Sequence, residues 1–178
     1  MRAFCSLMPA VFLLLASPAS AEEAAGLPLH VQRLSPRIIR VWVGDHVSTT
    51  NVLAFATAKG IVVVDTTGIP PVDRELRRVI ARELGRSDFT TLINTHEHSD
   101  HLDLKAIEVL RTDKTVLVGP EACAQAVEGL RIMRNGDRQT IAGISIEAVP
   151  AYNIVHMRSP GQPFHPQGRG NGYVIAFG

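Results

Sequence analysis

Strands and helices alternate along this sequence, which predicts an α/β domain built in layers. Three observations carry that prediction. Ile61-Val62-Val63-Val64 is a continuous apolar run, the pattern of a strand covered on both faces. Val72, Leu76, Val79, Ile80 and Leu84 fall at i, i+4, i+7, i+8 and i+12, one stripe of a helix. A second strand, Thr90 to Asn94, then runs straight into a dense group of histidines and carboxylates. The length of 178 residues suits a single domain, and no internal repeat or low-complexity segment appears.

The first residues read as a secretory signal. Met1-Arg2 supplies the positive start, Val11 to Ala16 the apolar centre, and Ala19-Ser20-Ala21 the small-residue cleavage site. Residues 1–21 are therefore expected to be removed, leaving a mature chain of 22–178 exported to the periplasm. The apolar run is too short for a stable membrane span, an uncleaved anchor being the rival reading. Cys5 lacks a convincing lipoprotein setting, and Cys123 alone remains after cleavage, so no internal disulfide can form. Net charge is +1, from 18 basic and 17 acidic side chains, so nothing suggests a nucleic-acid surface.

Residues 22–36 read as an N-terminal lead and Ile38–Val43 as a strand. Val52–Phe55 and Ile61–Asp65 form a hairpin around Ala58-Lys59-Gly60, and Thr66-Thr67-Gly68 follows as loop. Pro70-Pro71 opens the striped helix, Gly85 stops it, and Arg74, Arg77, Arg78 and Arg82 read as its solvated face. Further on come a helix over Leu104–Leu110, a strand over Thr115–Gly119 and a helix over Pro120–Val127 with Pro at its start. Cys123 is expected in that helix as a small packing residue with no base nearby. Asn135-Gly136-Asp137 marks a turn, and Ile144–Pro150 and Tyr173–Phe177 are strands.

The chemistry concentrates in Asn94-Thr95-His96-Glu97-His98-Ser99-Asp100-His101. Packing gives no reason to gather imidazoles and carboxylates at the end of a buried strand, whereas a divalent metal does. His96 and His98 project to the same side of extended backbone, and Asp100 and His101 could reach a second ion. Glu97 points the opposite way, which suits support of the ligands better than ligation. A zincin helix is excluded, because its second histidine would stand where Asp100 does. Solvated histidines in a polar loop are the plain alternative.

His96-x-His98-x-Asp100-His101 after an apolar strand resembles the signature of the metallo-β-lactamase-fold hydrolases. The resemblance implies an αββα sandwich, of which this chain would carry the N-terminal half to two-thirds. It also implies one or two zinc ions, with iron or manganese as variants. His96 and His98 would bind the first, Asp100 and His101 the second, with Asp100 orienting the attacking water and Asp65 supporting the metal loop. Read locally, Asp65 is equally a strand-end turn residue.

Residues 38–101 resemble the exported β-lactamase and glyoxalase II-like branches of that superfamily. Pro150-Ala151-Tyr152-Asn153 and Phe164-His165-Pro166-x-Gly168-Arg169-Gly170-Asn171-Gly172-Tyr173 resemble the lactonase-like prokaryotic metal-dependent hydrolases instead. A fused gene product would give the same split. Many relatives place a third first-metal histidine near Asn153; asparagine is a weak ligand at best, so His165, and after it His156, are candidate replacements. The glycines form a turn into the last strand rather than a phosphate cradle, and Arg169 could clamp a substrate carboxylate or phosphate.

The expectation is a metal-dependent hydrolase acting with activated water on a small-molecule ester, lactone, thioester, β-lactam or phosphoester. The alternative is a truncated, non-catalytic metal-binding member of the same fold. Relatives continue past the strand at 173–177, so the chain is read either as a fragment or as a half-sandwich that self-associates to cover an open edge.

Overall fold

A computed structural model describes residues 28–44 and 50–177. The expected signal segment and the first residues of the mature chain lie outside them. The main sheet has seven strands in sequential order: β1 (Leu29–Ser35), β2 (Ile38–Val43), β3 (Val52–Thr57), β4 (Gly60–Val64), β5 (Phe89–Ile93), β6 (Val116–Gly119) and β7 (Arg131–Ile132). β1 to β4 run antiparallel as a meander, and β4 to β7 are parallel. Parallel neighbours need crossovers. Helix α1 (Asp73–Leu84) connects β4 to β5, and α2 (Leu104–Leu110) connects β5 to β6.

A second sheet joins β8 (Arg138–Ile141), β9 (Ile144–Ala151) and β12 (Gly170–Ala176) in the order β12-β9-β8. Between β9 and β12 the chain forms a small hairpin, β10 (Met157–Ser159) with β11 (Gln162–Pro163).

The main sheet is covered on both faces, as its apolar runs require. Ile61 and Val63 of β4 face α1 and α2, packing with Leu76, Ile80, Ile107 and Leu110. Val62 faces the other way, packing with Ile93, Val118 and the second sheet's Ile144, Ile146 and Ala148. The described residues thus stack as helices, sheet, sheet. No helix among them is long and apolar enough to cross a membrane.

α1 behaves as its stripe predicts: Leu76, Val79 and Ile80 are buried, and Gly85 ends it in the left-handed region at φ 66°. Several expectations need correction. Residues 29–35 are a strand, because Leu29 and Val31 pack on the helix-side core while the backbone pairs with β2. Segment 120–127 contains only a 3-10 turn, Glu121–Gln125, with Pro120 preceding it as N-cap. Cys123 is fully buried there, and burial pushes its thiol up to about 12, so it is inert packing. The last strand starts three residues earlier than expected, at Gly170, because β12 pairs with β9 from Ser145 as far as Ala151. Arg77 is not simply solvated. Its Nη1 donates to the carbonyls of Val109 (3.0 Å) and Leu110, and its guanidinium lies 4.4 Å from the Phe89 ring centroid.

Candidate metal centre

Parallel pairing of β4 with β5 puts Val64 beside Ile93, so the residues leaving both strands emerge side by side. Open α/β sheets place ligands at these carboxyl ends. Asp65 leaves β4 at φ 61°, a left-handed conformation that is costly for a residue with a side chain. It is buried, and its carboxylate takes three hydrogen bonds. Thr95 N–H donates to Oδ1 (2.8 Å), and Thr95 Oγ1 (2.7 Å) and His101 Nδ1 (2.8 Å) donate to Oδ2. The unusual backbone is thus held by the loop it supports.

Those bonds fix tautomers. Thr95 Oγ1 has one proton and gives it to Asp65, so its 2.9 Å contact with His96 Nδ1 has the ring N–H as donor. His101 Nδ1 likewise carries its proton toward Asp65. On the far side of the site, Asn153 Oδ1 accepts both the backbone N–H of His165 (2.8 Å) and its Nδ1–H (2.7 Å). His96 and His165, both shifted toward the neutral ring, therefore present an unprotonated Nε2, whereas His101 Nε2 faces the Asp100 carboxylate. Acceptors on the far ring nitrogen orient metal-binding histidines in this way.

His96, His98 and His165 converge, with one ligand nitrogen from each lying within 4.8 Å of the others. The Nε2 atoms of His96 and His165 are 3.2 Å apart. With both protons on Nδ1, neither can donate to the other, so two lone pairs face each other at hydrogen-bond distance. Burial, with the nearby His101, His165 and His98, pushes His96 down to about 4; burial and the His98 and His101 charges also lower His165. A divalent cation is the partner such a pair of neutral imidazoles fits.

Asp100 and His101 sit beside this cluster without completing another among the described residues. Asp100 Oδ2 is 3.4 Å from His101 Nε2 and accepts from Thr50 Oγ1 at 3.0 Å. The His96 and His101 ring centroids are 4.0 Å apart. Burial would lower the pKa of His101, but the hydrogen bond and charge of Asp65, with the charge of Asp100, outweigh it and raise it. Burial would raise that of Asp100, and His101 with Thr50 outweighs it downward.

The remaining candidates separate cleanly. Glu97 accepts from Arg169 Nε (2.7 Å) and pairs with Nη2 (2.5 Å), tying the metal loop to the loop that carries His165. Asn153 holds His165 in place of ligating, and His156 is exposed outside the cluster. Gly68, at φ 63°, lies against the loop so closely that a Cβ would come 2.5 Å from Asp100 Cα.

Four supporting residues escape sequence reasoning. Thr95 relays Asp65 to His96, Thr50 holds Asp100, Asn171 N–H donates to Thr95 O (2.9 Å), and Tyr173 Oη donates to Asn94 O (3.0 Å). Thr95 stood inside the motif, but nothing in the sequence connects it with Asp65.

A layered α/β fold with a histidine cluster at the mouth of two parallel strands defines the class: the chain carries the metallo-β-lactamase superfamily fold. Residues 45–102 match the family described as Metallo-beta-lactamase superfamily. The chain is similar to a Parabacteroides distasonis ATCC 8503 protein named as a candidate metal-dependent hydrolase. Identity is 25% and the TM-score 0.53, over 85% of this chain and 62% of that one. A Cronobacter sakazakii metallo-β-lactamase with a HARLDQ motif matches at 18% identity and TM-score 0.59, over 97% of this chain and 64% of that one. A flavo di-iron protein variant of Thermotoga maritima matches at 11% and 0.57, over 85% and 40%. The chain thus spans less than two-thirds of each of these structures. No curated protein matches it. The fold implies a divalent metal, and the histidine cluster fits one.

Proposed function

We propose that this chain is a metal-dependent hydrolase of small-molecule esters, lactones, thioesters, β-lactams or phosphoesters, exported to the periplasm and loaded with zinc. The observation that carries the reading is the convergence of His96, His98 and His165 with two Nε2 lone pairs turned on one another. These three would hold the ion, leaving a position open toward the adjoining clefts. A bound divalent ion supplies Lewis acidity and brings the pKa of its water from about 15.7 toward about 7. Asp100, 3.4 Å from His101 Nε2, would orient the attacking water, or with His101 contribute to a second ion. Glu97 and Arg169 lock the two loops together, and Asp65 and Asn153 keep the imidazoles aimed.

Purified protein should contain zinc, iron or manganese and turn over at least one member of an ester, thioester, lactone, β-lactam and phosphoester panel. Chelator and His98→Ala should each abolish that turnover. Absence of all three metals, or turnover indifferent to His98→Ala, would end the reading. A second reading, a metal-binding module without catalysis, is favoured by the Asp100–His101 pair, which gathers no third ligand among the described residues. Bound metal without turnover on that panel would select it.

A further inference from the structure

Two clefts of opposite character meet at the histidine cluster. One, of about 320 Å³, is lined by His96, His165, Tyr152, Gly170 and Gly172, and no charged side chain borders it. The other, of about 380 Å³, lies between the metal loop and the β10–β11 hairpin, and His98 lines it. Its charged residues are Glu97, Arg169 and Arg158. Glu97 and Arg169 neutralise each other through their short contacts. Arg158 has no carboxylate partner among the described residues; its guanidinium lies 5.5 Å from the Phe164 ring centroid. This cleft is therefore cationic by one guanidinium, over an aromatic floor.

A guanidinium presents a donor fork that fits carboxylate or phosphate oxygens, and an aromatic face beneath it pre-orders the fork. His96 and His165 border the uncharged cleft and His98 the cationic one, so the reacting bond falls at their junction.

We propose that the substrate is an anion, its carboxylate or phosphate held by Arg158 in the cleft floored by Phe164 and its uncharged portion lying in the Gly170–Gly172 cleft. This rests on the hydrolase reading for the bond cleaved, but the anion site stands on its own geometry. Arg158 is a specificity residue by this assignment. Arg169, spoken for by Glu97, is a tether between loops.

Calorimetric titration of the full chain with benzoate, phenyl phosphate and the neutral isostere benzamide tests it, with zinc present and again after chelation. At least one anion should bind about tenfold or more tightly than benzamide, the size expected of a charge-assisted fork. Arg158→Gln should remove that advantage, Arg158→Lys should restore part of it, and circular dichroism and zinc content should stay unchanged. The tighter of the two anions identifies the oxyacid. Anion binding that is indifferent to Arg158→Gln, or that disappears with chelation alone, would overturn the proposal. Because the chelated protein is titrated too, failure of the metal reading leaves this outcome separately readable.

Discussion

The Nε2 atoms of His96 and His165 lie 3.2 Å apart although 69 residues separate them in the chain. Their approach depends on Asn153, whose single Oδ1 takes both N–H groups that His165 directs toward it. Asn153→Ala should cost about 10- to 100-fold in zinc affinity, as loss of an orienting acceptor does elsewhere. Asn153→Asp keeps an oxygen in place and should bind zinc nearly as well as the parent, while His165→Ala should lose more than Asn153→Ala. Competition with a chromophoric chelator reads all three. Equal affinity for Asn153→Ala and the parent would show that His165 needs no such holder.

Asp73, at the start of α1, is a buried carboxyl away from the histidines. Burial first, then the neighbouring Asp103 charge, raises it from 3.8 to about 7 despite a 3.3 Å hydrogen bond from Thr67. Arg74, Lys105 and Glu108 line the cleft beside it. The folded state therefore holds this proton more tightly than the unfolded one. The resulting stability is complete below about 4 and drains away as pH rises through about 7, by a few kcal/mol at most. Asp73→Asn should flatten the fall in Tm between pH 5 and pH 8, in runs at about one-unit steps. A variant whose Tm follows the parent's at every pH would contradict it.

Arg77 ties α1 to the end of α2 through the carbonyls of Val109 and Leu110 and lies over Phe89. A cation at a helix C-terminus that also closes orphan carbonyls contributes about 1–2 kcal/mol. Arg77→Met keeps most of the stem's packing but removes those bonds, so urea midpoints should fall accordingly with the slope unchanged. Arg78→Met is the control, because among the described residues Arg78 pairs only with Glu75, on an exposed face. Equal losses from both would remove the distinction.

Much of this molecule is determined locally. A period of four and three along α1, and the unbroken apolar run Ile61–Val64 in β4, leave few ways to bury those faces, so their types follow from the residues alone. The spacing of His96 and His98 likewise puts both imidazoles on one side of the chain before any fold is known, and the structure brings them together with His165. β1 escaped because its alternation is short and only half-buried at a sheet edge, where pairing with β2 decides what composition does not. Whether His165 or Asn153 faces the histidines, and that Arg169 closes on Glu97 while Arg158 stays open, could be settled only in three dimensions. These relationships join loops from two different sheets. Side-chain pattern governs which face of an element is buried, but the meeting of distant loop tips depends on how the sheets stack.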